Sequence, residues 1–141
     1  RDIAGIRVIC YFIDDIYNLV NALKRQSELI FIREKDYIQN PKPNGYRSFH
    51  VIIAVPVYYL DTMEYFPVEI QLRTMTMDLW ASMEHRVCYK KLPEHRDELA
   101  EAFRQYAGIL GKIEEQFEAY NETGMLEEIA SAQIAENPSE G

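Results

Sequence analysis

Three separated segments of the sequence contain charged and aromatic residues at spacings that suit ligand binding or catalysis. The first places Asp2 and Arg7 on either side of the start of an apolar stretch. The second, residues 35–50, combines a Pro-Gly turn with cations and tyrosines, and the third, residues 68–73, alternates apolar and polar side chains. Cations can meet phosphate oxygens and a tyrosine ring can stack on a base, so these residue types suit a phosphorylated ligand.

Each segment also has an ordinary structural interpretation. Asp2 can cap a turn and Arg7 can be a surface cation, which is the commoner role for these residue types. Residues 35–50 can be a loop between strands as readily as a binding loop. By itself, His50 is best interpreted as a hydrogen-bonded histidine at the start of a strand.

The third segment predicts a polar face on a β-sheet. Alternation with a period of two points Glu69, Gln71 and Arg73 to the same side of a strand. An exposed sheet face would show the same pattern. The functional alternative is that Glu69 meets Asp2 at one Mg²⁺ ion, because Mg²⁺ takes one or two protein carboxylates and completes its shell with water and substrate phosphates.

Strands and helices must position these segments. β-branched and aromatic runs predict strands at residues 6–12, 29–33, 49–57 and 68–73. Apolar residues at helical spacing predict a helix from Asp14 and Asp15 to about Arg25, and Thr74 or Thr76 is expected to begin another. The strand at 49–57 is apolar on both faces, which predicts a central position in the sheet. The second helix is expected to bury a stripe formed by Met77, Trp80, Met83 and Val87.

A longer helix is predicted from Glu94, and residues 121–124 are expected to end it. Its large apolar residues alternate in steps of four and three, which is heptad spacing: Leu99, Phe103, Tyr106, Leu110, Ile113, Phe117 and Tyr120. This stripe can cover the rest of the domain or pair between subunits. A short helix to about Ala135 and a disordered tail at 137–141 are expected to follow.

Charge is distributed unevenly along the 141 residues. Residues 1–91 hold 12 basic and 11 acidic side chains, whereas residues 92–141 hold 3 and 12. This balance favours a small phosphorylated ligand over a nucleic acid, which usually needs a broad positive surface. The longest apolar run, Val51 to Leu60, is too short to span a membrane, and two cysteines are too few for a disulfide framework. A reducing cytoplasm is the expected location.

Taken together, the three segments resemble the synthetase domain of the RelA/SpoT family. Residues 2–7 are similar to its Asp-x-x-Gly-Ile-Arg element, residues 35–50 to its Lys-Asp-Tyr-Ile-x-Asn-Pro-Lys-Pro-Asn-Gly-Tyr-x-Ser-x-His loop, and residues 68–74 to its Val-Glu-Ile-Gln-x-Arg-Thr element. The resemblance covers about residues 1–91 and implies (p)ppGpp synthesis in the stringent response. In that reaction the β,γ-pyrophosphoryl group of ATP is transferred to the ribose 3′-hydroxyl of GDP or GTP, and AMP is released.

The resemblance also implies catalytic and donor-binding roles for individual polar residues. Asp2 and Glu69 are similar to the magnesium-site carboxylates of the family, and Glu69 is the expected base for the 3′-hydroxyl. Arg7 matches an arginine that packs against the donor adenine. The family carries further basic residues upstream of the Asp-x-x-Gly element, so the donor site is expected to be incomplete in a chain that begins at Arg1.

The acceptor site is assigned by the same resemblance. Tyr46 is similar to the tyrosine that stacks on the acceptor guanine. Lys42 and His50 occupy positions where the family contacts acceptor phosphates or orients the ribose. Arg47 and Gln71 are expected to give supporting contacts.

For the fold, the family implies a nucleotidyltransferase-like α/β (α+β) arrangement, with the site on one face of a mixed sheet and helices on the other. The expected divisions are a catalytic core at 1–91 that lacks its N-terminal part and C-terminal helices at 92–136. Small family members form homo-oligomers, often tetramers, which agrees with pairing through the heptad stripe. No His-Asp pair occurs at His50, His85 or His95, so alarmone hydrolysis is not expected.

Two other function classes stay open from the sequence. One is a pyrophosphokinase that modifies the 3′ end of tRNA, as some family branches do, although the acidic C-terminal half argues against RNA. The other is a guanine nucleotide sensor without catalysis, which would follow if the natural protein lacked the ATP-binding segment.

Overall fold

The computed structural model of the protein describes residues 3–89 and 93–136. In chain order its elements are β1 (Ala4–Cys10), α1 (Ile13–Lys24), β2 (Ile30–Asp36), β3 (Phe49–Tyr59), β4 (Thr62–Thr74), α2 (Met75–Cys88) and α3 (Pro93–Glu136). The four strands and the first two helices confirm the predicted elements, although β4 begins six residues earlier than the predicted strand at 68–73. Asp2 and the tail at 137–141 lie outside the described residues.

The four strands form one mixed sheet in the order β1-β4-β3-β2. β1 runs parallel to β4, whereas β3 is antiparallel to both β4 and β2. The predicted mixed sheet and the interior position of β3 are therefore confirmed. This order inserts the last strand between the first and the third, which brings the polar residues of three distant segments onto neighbouring strands.

One face of the sheet packs on α1. Ile16 and Val20, one helical turn apart, are buried against apolar side chains that alternate along β3 and β4: Phe49, Val51, Ile53, Ile70 and Leu72. The helix starts where expected because the Asp15 carboxylate accepts a hydrogen bond from the Phe12 backbone N–H at 3.1 Å. Since α1 covers this face, the residues between the buried ones point to the opposite face.

A second apolar cluster joins α2 to α3. Met77 and Trp80 of α2 are buried against Phe103 and Ala107 of α3. Thr74 is the N-cap of α2, since its hydroxyl accepts a hydrogen bond from the Met77 N–H at 3.3 Å. Two further residues that were expected on the buried stripe, Met83 and Val87, are exposed, because the buried contact of α2 with α3 lies, among the described residues, at Met77 and Trp80.

The predicted end of α3 at residues 121–124 is wrong. The helix continues through them and extends for 44 residues. Asn and Gly in a helix interior cost only about 1 kcal/mol each or less, which does not by itself stop a helix. A Gly-type stop also needs a residue with positive φ, and in the described part of the chain only Gly45 and Leu60 have one. No helix in the described ranges has the length and apolar character needed to cross a membrane.

Candidate functional site

A row of polar side chains crosses the sheet on the face opposite α1. Arg7 of β1 is paired with Gln71 of β4, and Gln71 is paired with His50 of β3. Directly paired residues on neighbouring strands point to the same side of a sheet. Residues from the three sequence segments therefore converge here, because β4 lies between β1 and β3.

Glu69 lies on the same face, two residues before Gln71. Its neighbour on β1 is Gly5, where an added Cβ would meet no described atom within 4 Å, so the space beside the carboxylate is open. A cavity of about 240 Å³ occupies this space and is lined by Gly5, Ile6, Arg7, Glu69 and Gln71. Within the described ranges no cation lies within 4.0 Å of the partly buried Glu69 carboxylate. This carboxylate is thus available to a ligand.

The loop between β2 and β3 is held by its own hydrogen bonds. At its start, the Asp36 carboxylate accepts hydrogen bonds from the Ile38 and Gln39 N–H groups and from the Tyr17 hydroxyl. Further along, the Asn44 side chain accepts a hydrogen bond from the Tyr46 N–H at 3.0 Å. Such side-chain turns give the loop a defined shape.

Tyr46 is the residue that this loop presents to the site. Its ring centroid lies 6.2 Å from that of Trp80 and 6.2 Å from that of His50. The ammonium of Lys42 lies 5.6 Å from the Tyr46 centroid and 4.9 Å from that of Tyr37, which is within cation–π range. An aromatic surface and a cation are therefore side by side, as a nucleotide base and its phosphates require.

Tyr46 lines a second, larger cavity of about 490 Å³. Three predicted site residues, Arg7, Lys42 and Tyr46, meet in its wall. Its remaining lining residues come from the loop, β4 and α2: Asn44, Arg73, Trp80, Ala81, Ser82, Glu84 and His85. Because Arg7 also lines the cavity beside Glu69, the two cavities are adjacent on one side of the sheet.

Arg73 was placed on the polar face by the sequence pattern but given no role there. Its guanidinium is buried and donates two hydrogen bonds to Asp78 Oδ1, at 2.6 and 2.9 Å, and one to the Tyr46 hydroxyl at 3.3 Å. Burial alone would lower the pKa of Arg73, but the hydrogen bonds with Tyr46 and Asp78 outweigh it and raise the pKa. Arg73 therefore stays charged and fixes the outer end of the Tyr46 side chain.

Trp80 was predicted only as a core residue. Its indole N–H donates to the Phe103 carbonyl at 2.6 Å, which anchors the ring, and the ring lines the large cavity as well. Sequence periodicity identifies the buried side of such a residue but not the part that reaches a cavity wall.

His50 lies at the edge of the aromatic group. Its ring is in edge contact with Tyr37 and Tyr46, and its Nε2 is buried with no hydrogen-bond partner among the described residues. Burial lowers the pKa of His50, and the positive charges of Lys42, Lys35 and Arg73 lower it further, against an opposing effect of Glu69. The imidazole is therefore neutral at physiological pH and can donate or accept a hydrogen bond.

The structure does not bring every predicted residue to the cavities. The Arg47 guanidinium lines neither cavity and donates to the Ala107 carbonyl of α3 at 3.0 Å. Arg47 is therefore separated from the positions at which Lys42 and Arg7 line the site. The convergence of Asp2 with Glu69 stays a prediction, since Asp2 lies outside the described residues.

Comparison with known proteins relates this arrangement to one family. A sequence profile for the region found in RelA / SpoT proteins matches residues 1–94. The chain is 49% identical over 115 residues to the GTP pyrophosphokinase YwaC of Bacillus subtilis, which covers 82% of this chain and 55% of that protein. It is 38% identical over 90 residues to YjbM of the same organism, a second GTP pyrophosphokinase, covering 64% and 43%. The chain thus spans about half the length of these relatives.

Solved structures agree with this relationship. The crystal structure of small alarmone synthetase 2 from B. subtilis superposes with a TM-score of 0.75 at 44% identity, covering 84% of this chain and 65% of that one. Small alarmone synthetase 1 from B. subtilis, in a crystal structure with its product pppGpp, superposes with a TM-score of 0.74 at 28% identity, covering 86% and 62%. The fold expected from the sequence motifs is therefore confirmed.

Proposed function

This chain belongs to the family of RelA / SpoT proteins, and from that premise we propose that it synthesises (p)ppGpp. The proposed reaction transfers the pyrophosphoryl group of ATP to the 3′-hydroxyl of GDP or GTP and releases AMP. The observation that carries the proposal is that Arg7 of β1 lines one cavity together with Lys42 and Tyr46 of the distant loop, and also lines the adjacent cavity that Glu69 faces. The names of the two GTP pyrophosphokinases with which the chain shares much of its length support it.

In this proposal the larger cavity binds the acceptor nucleotide. The Tyr46 ring stacks on guanine, which is worth about 1–3 kcal/mol in base–aromatic contacts. The Lys42 ammonium, 5.6 Å from the Tyr46 centroid, binds phosphate oxygens next to the base. Neutral His50 and Gln71, which are paired across β3 and β4, orient the ribose.

The proposed chemistry takes place between the two cavities. The 3′-oxygen attacks the β-phosphorus of ATP, the bond from that phosphorus to the bridging α-phosphate oxygen breaks, and the hydroxyl proton passes to the Glu69 carboxylate. Arg7 lines both cavities and holds the donor against the acceptor. Because phosphoryl transfer depends mainly on alignment and on neutralising oxygen charge, fixed cations around the site favour it.

The family also implies Mg²⁺, and the residues present fit it. Glu69 offers a partly buried carboxylate that faces an open cavity and has no ion-pair partner within the described ranges. A single protein carboxylate, or two with Asp2, matches the way Mg²⁺ binds beside substrate phosphates. When bound, the ion would neutralise negative charge on the phosphate oxygens.

We also propose that the protein forms a homo-oligomer, a tetramer as in small family members, through α3. Along the heptad stripe the outer residues Tyr106, Ile113, Phe117 and Tyr120 are between 41% and 73% exposed in the single chain. Beside them an apolar groove of about 470 Å³ runs between α2 and α3. A second copy would cover this surface, and sedimentation velocity that finds only a concentration-independent monomer would contradict the proposal.

The proposed setting is a reducing cytoplasm, because the two cysteines of the chain are too few for a disulfide framework.

A direct assay tests the activity. The natural full-length protein is incubated with ATP, Mg²⁺ and either GDP or GTP, and nucleotide products are separated by anion-exchange chromatography. We expect AMP and a 3′-pyrophosphorylated guanine nucleotide in equal amounts. Labelled tRNA in place of GDP tests the related tRNA reaction. Guanine nucleotide binding without AMP formation would contradict the proposed synthesis.

A further inference from the structure

Arg47, the residue that follows Tyr46, is seated on α3. Its Nη1 donates to the Ala107 carbonyl at 3.0 Å, and its Nη2 is buried. One helical turn further along α3 lies Gly111, where an added Cβ would lie 2.9–3.1 Å from the three terminal atoms of the guanidinium. The guanidinium therefore occupies a space that a glycine leaves free on the helix.

Gly45, the residue before Tyr46, contacts the same helix. An added Cβ at Gly45 would lie 2.8 Å from the Ala107 Cβ and 3.5 Å from the Arg104 carbonyl oxygen. Gly45 also has φ +95°, which other L-residues rarely adopt. The backbone on both sides of Tyr46 is thus fixed against one short stretch of α3.

The charges around the buried Arg47 guanidinium support its contact with α3. Burial lowers the pKa of Arg47, and the negative charges of Glu114 and Glu115 act in the opposite direction. Glu114 is 2% exposed and accepts a hydrogen bond from the Thr76 hydroxyl in the first turn of α2. Glu114 therefore lies between the first turn of α2 and the guanidinium of Arg47. Removing the Arg47 charge would leave this buried carboxylate less well compensated.

We propose that Arg47 is a positioning residue which, with Gly45 and Gly111, locks the loop onto α3 and so sets the Tyr46 ring for the acceptor guanine. This inference rests on the proposed function. Arg47 does not touch the acceptor, so it acts on acceptor affinity through Tyr46. Its loss should raise the KM for GDP or GTP, with little change in the KM for ATP or in kcat at saturating acceptor.

The best test variant is Gly111→Ala. Alanine favours a helix by about 1 kcal/mol over glycine, which offsets part of the cost of displacing the buried guanidinium, so the variant should stay folded. The added methyl group displaces the Arg47 guanidinium, which lies at the end of a long side chain that can adopt another rotamer. Gly108→Ala is the matched control, because it lies one turn earlier on α3 and its Cβ would meet no described atom within 4 Å. Both substitutions raise the helix propensity by the same amount, but only Gly111→Ala displaces the Arg47 guanidinium.

The measurement uses the single tryptophan of the chain. Trp80 lies 6.2 Å from Tyr46, so its fluorescence reports the position of that ring and the binding of GDP. In Gly111→Ala we expect the emission of the ligand-free protein to change and the GDP dissociation constant to rise about tenfold, which is a partial loss of the stacking energy. Gly108→Ala should match the wild type in both. Arg47→Met should behave as Gly111→Ala, and Arg47→Lys should recover part of the affinity.

The outcomes separate the two proposals. If the wild type binds GDP and Gly111→Ala binds it equally well, with unchanged emission, the locking role of Arg47 is wrong. If the wild type binds no guanine nucleotide, the proposed function fails, while the emission of the ligand-free variants still tests the loop contact. Equal rises in the KM for ATP and for GDP would show a general structural effect and would also overturn the proposal.

Discussion

The Tyr46 hydroxyl accepts a hydrogen bond from Arg73, and Arg73 is itself held by Asp78 in the first turn of α2. Asp78 does not line the cavity that Tyr46 and Arg73 share. The orientation of the proposed guanine-stacking ring therefore depends on a carboxylate outside the site. Helix α2 and the loop between β2 and β3 are thus linked through the buried guanidinium of Arg73.

This coupling predicts the effect of Tyr46→Phe. The variant keeps the stacking ring and loses one hydrogen bond worth about 0.5–1.5 kcal/mol, so GDP affinity should fall about 2- to 12-fold. Asp78→Asn should produce a similar fall, and the two changes together should be less than additive because they act on one path. Titrations followed by Trp80 fluorescence would measure this, with Asp61→Asn in the exposed β3–β4 turn as control. Full additivity would contradict the coupling.

Glu69→Gln should separate binding from chemistry. The amide keeps the size of the side chain but cannot take the hydroxyl proton, so kcat should fall by at least about 10²-fold. GDP affinity should stay close to that of the wild type, because Glu69 lines the smaller cavity and not the one at Tyr46. Glu64→Gln, at an exposed position of the same strand, is the control. AMP formation at the wild-type rate in Glu69→Gln would exclude this residue as the base.

Gly45→Ala should destabilise the protein. Its φ of +95° is strained for alanine, at about 1–3 kcal/mol, and the added Cβ would also meet the Ala107 Cβ at 2.8 Å. Urea denaturation should show a lower free energy of unfolding. The double variant Gly45→Ala/Ala107→Gly removes the overlap but not the strain, so it should recover only the part of the loss that the overlap causes, less about 1 kcal/mol for a glycine inside α3. Gly124→Ala, where an added Cβ meets no described atom within 4 Å, should not destabilise the chain.

Glu118 of α3 should make stability depend on pH. Partial burial, a hydrogen bond with Asp14 and the negative charges of Asp14, Glu122 and Glu114 raise the pKa of Glu118 to about 7. A carboxyl whose folded-state pKa is raised contributes its full stability below its ordinary pKa, near 4.5, and loses that contribution as the pH rises through about 7. Glu118→Gln removes this loss, so the variant should gain stability relative to the wild type between pH 5 and pH 8.

Thermal unfolding at several pH values would test this prediction. Glu128→Gln, an exposed position further along α3, serves as the control. Asp14→Asn should reproduce part of the Glu118→Gln effect, because Asp14 is the partner in the hydrogen bond. A wild type and a Glu118→Gln variant with parallel pH profiles would show that the cluster does not titrate as described.

Local sequence predicted the strands and the first two helices, and it identified candidate residues for the site. The alternation at 68–73 identified the polar side of β4, because side chains in a strand point to opposite faces in turn. The Pro, Asn and Gly residues of the loop predicted a defined turn, and Asn44 and Gly45 form it. The motif resemblance then led to Arg7, Lys42 and Tyr46, which meet in one cavity wall.

Other features depend on contacts that no local pattern contains. Arg47 has the residue type and loop position of a phosphate ligand, but its direction is decided by Gly111 and Ala107 of α3, about 60 residues away in the chain. Arg73 orients the Tyr46 ring because Asp78 of α2 and Tyr46 of the loop both form hydrogen bonds with its guanidinium. The continuation of α3 beyond residue 121 likewise shows that residues with low helix propensity do not end a helix without a further stop signal.

Side-chain types and the period of the backbone are properties of the amino-acid sequence, so the candidate residues and their shared strand face could be predicted from it. Which of these residues meet depends on the three-dimensional fold. The insertion of β4 between β1 and β3 sets Arg7, Gln71 and His50 in one row. The order of strands in a sheet is a matter of long-range pairing and packing, and such pairing is not encoded in any short stretch of chain.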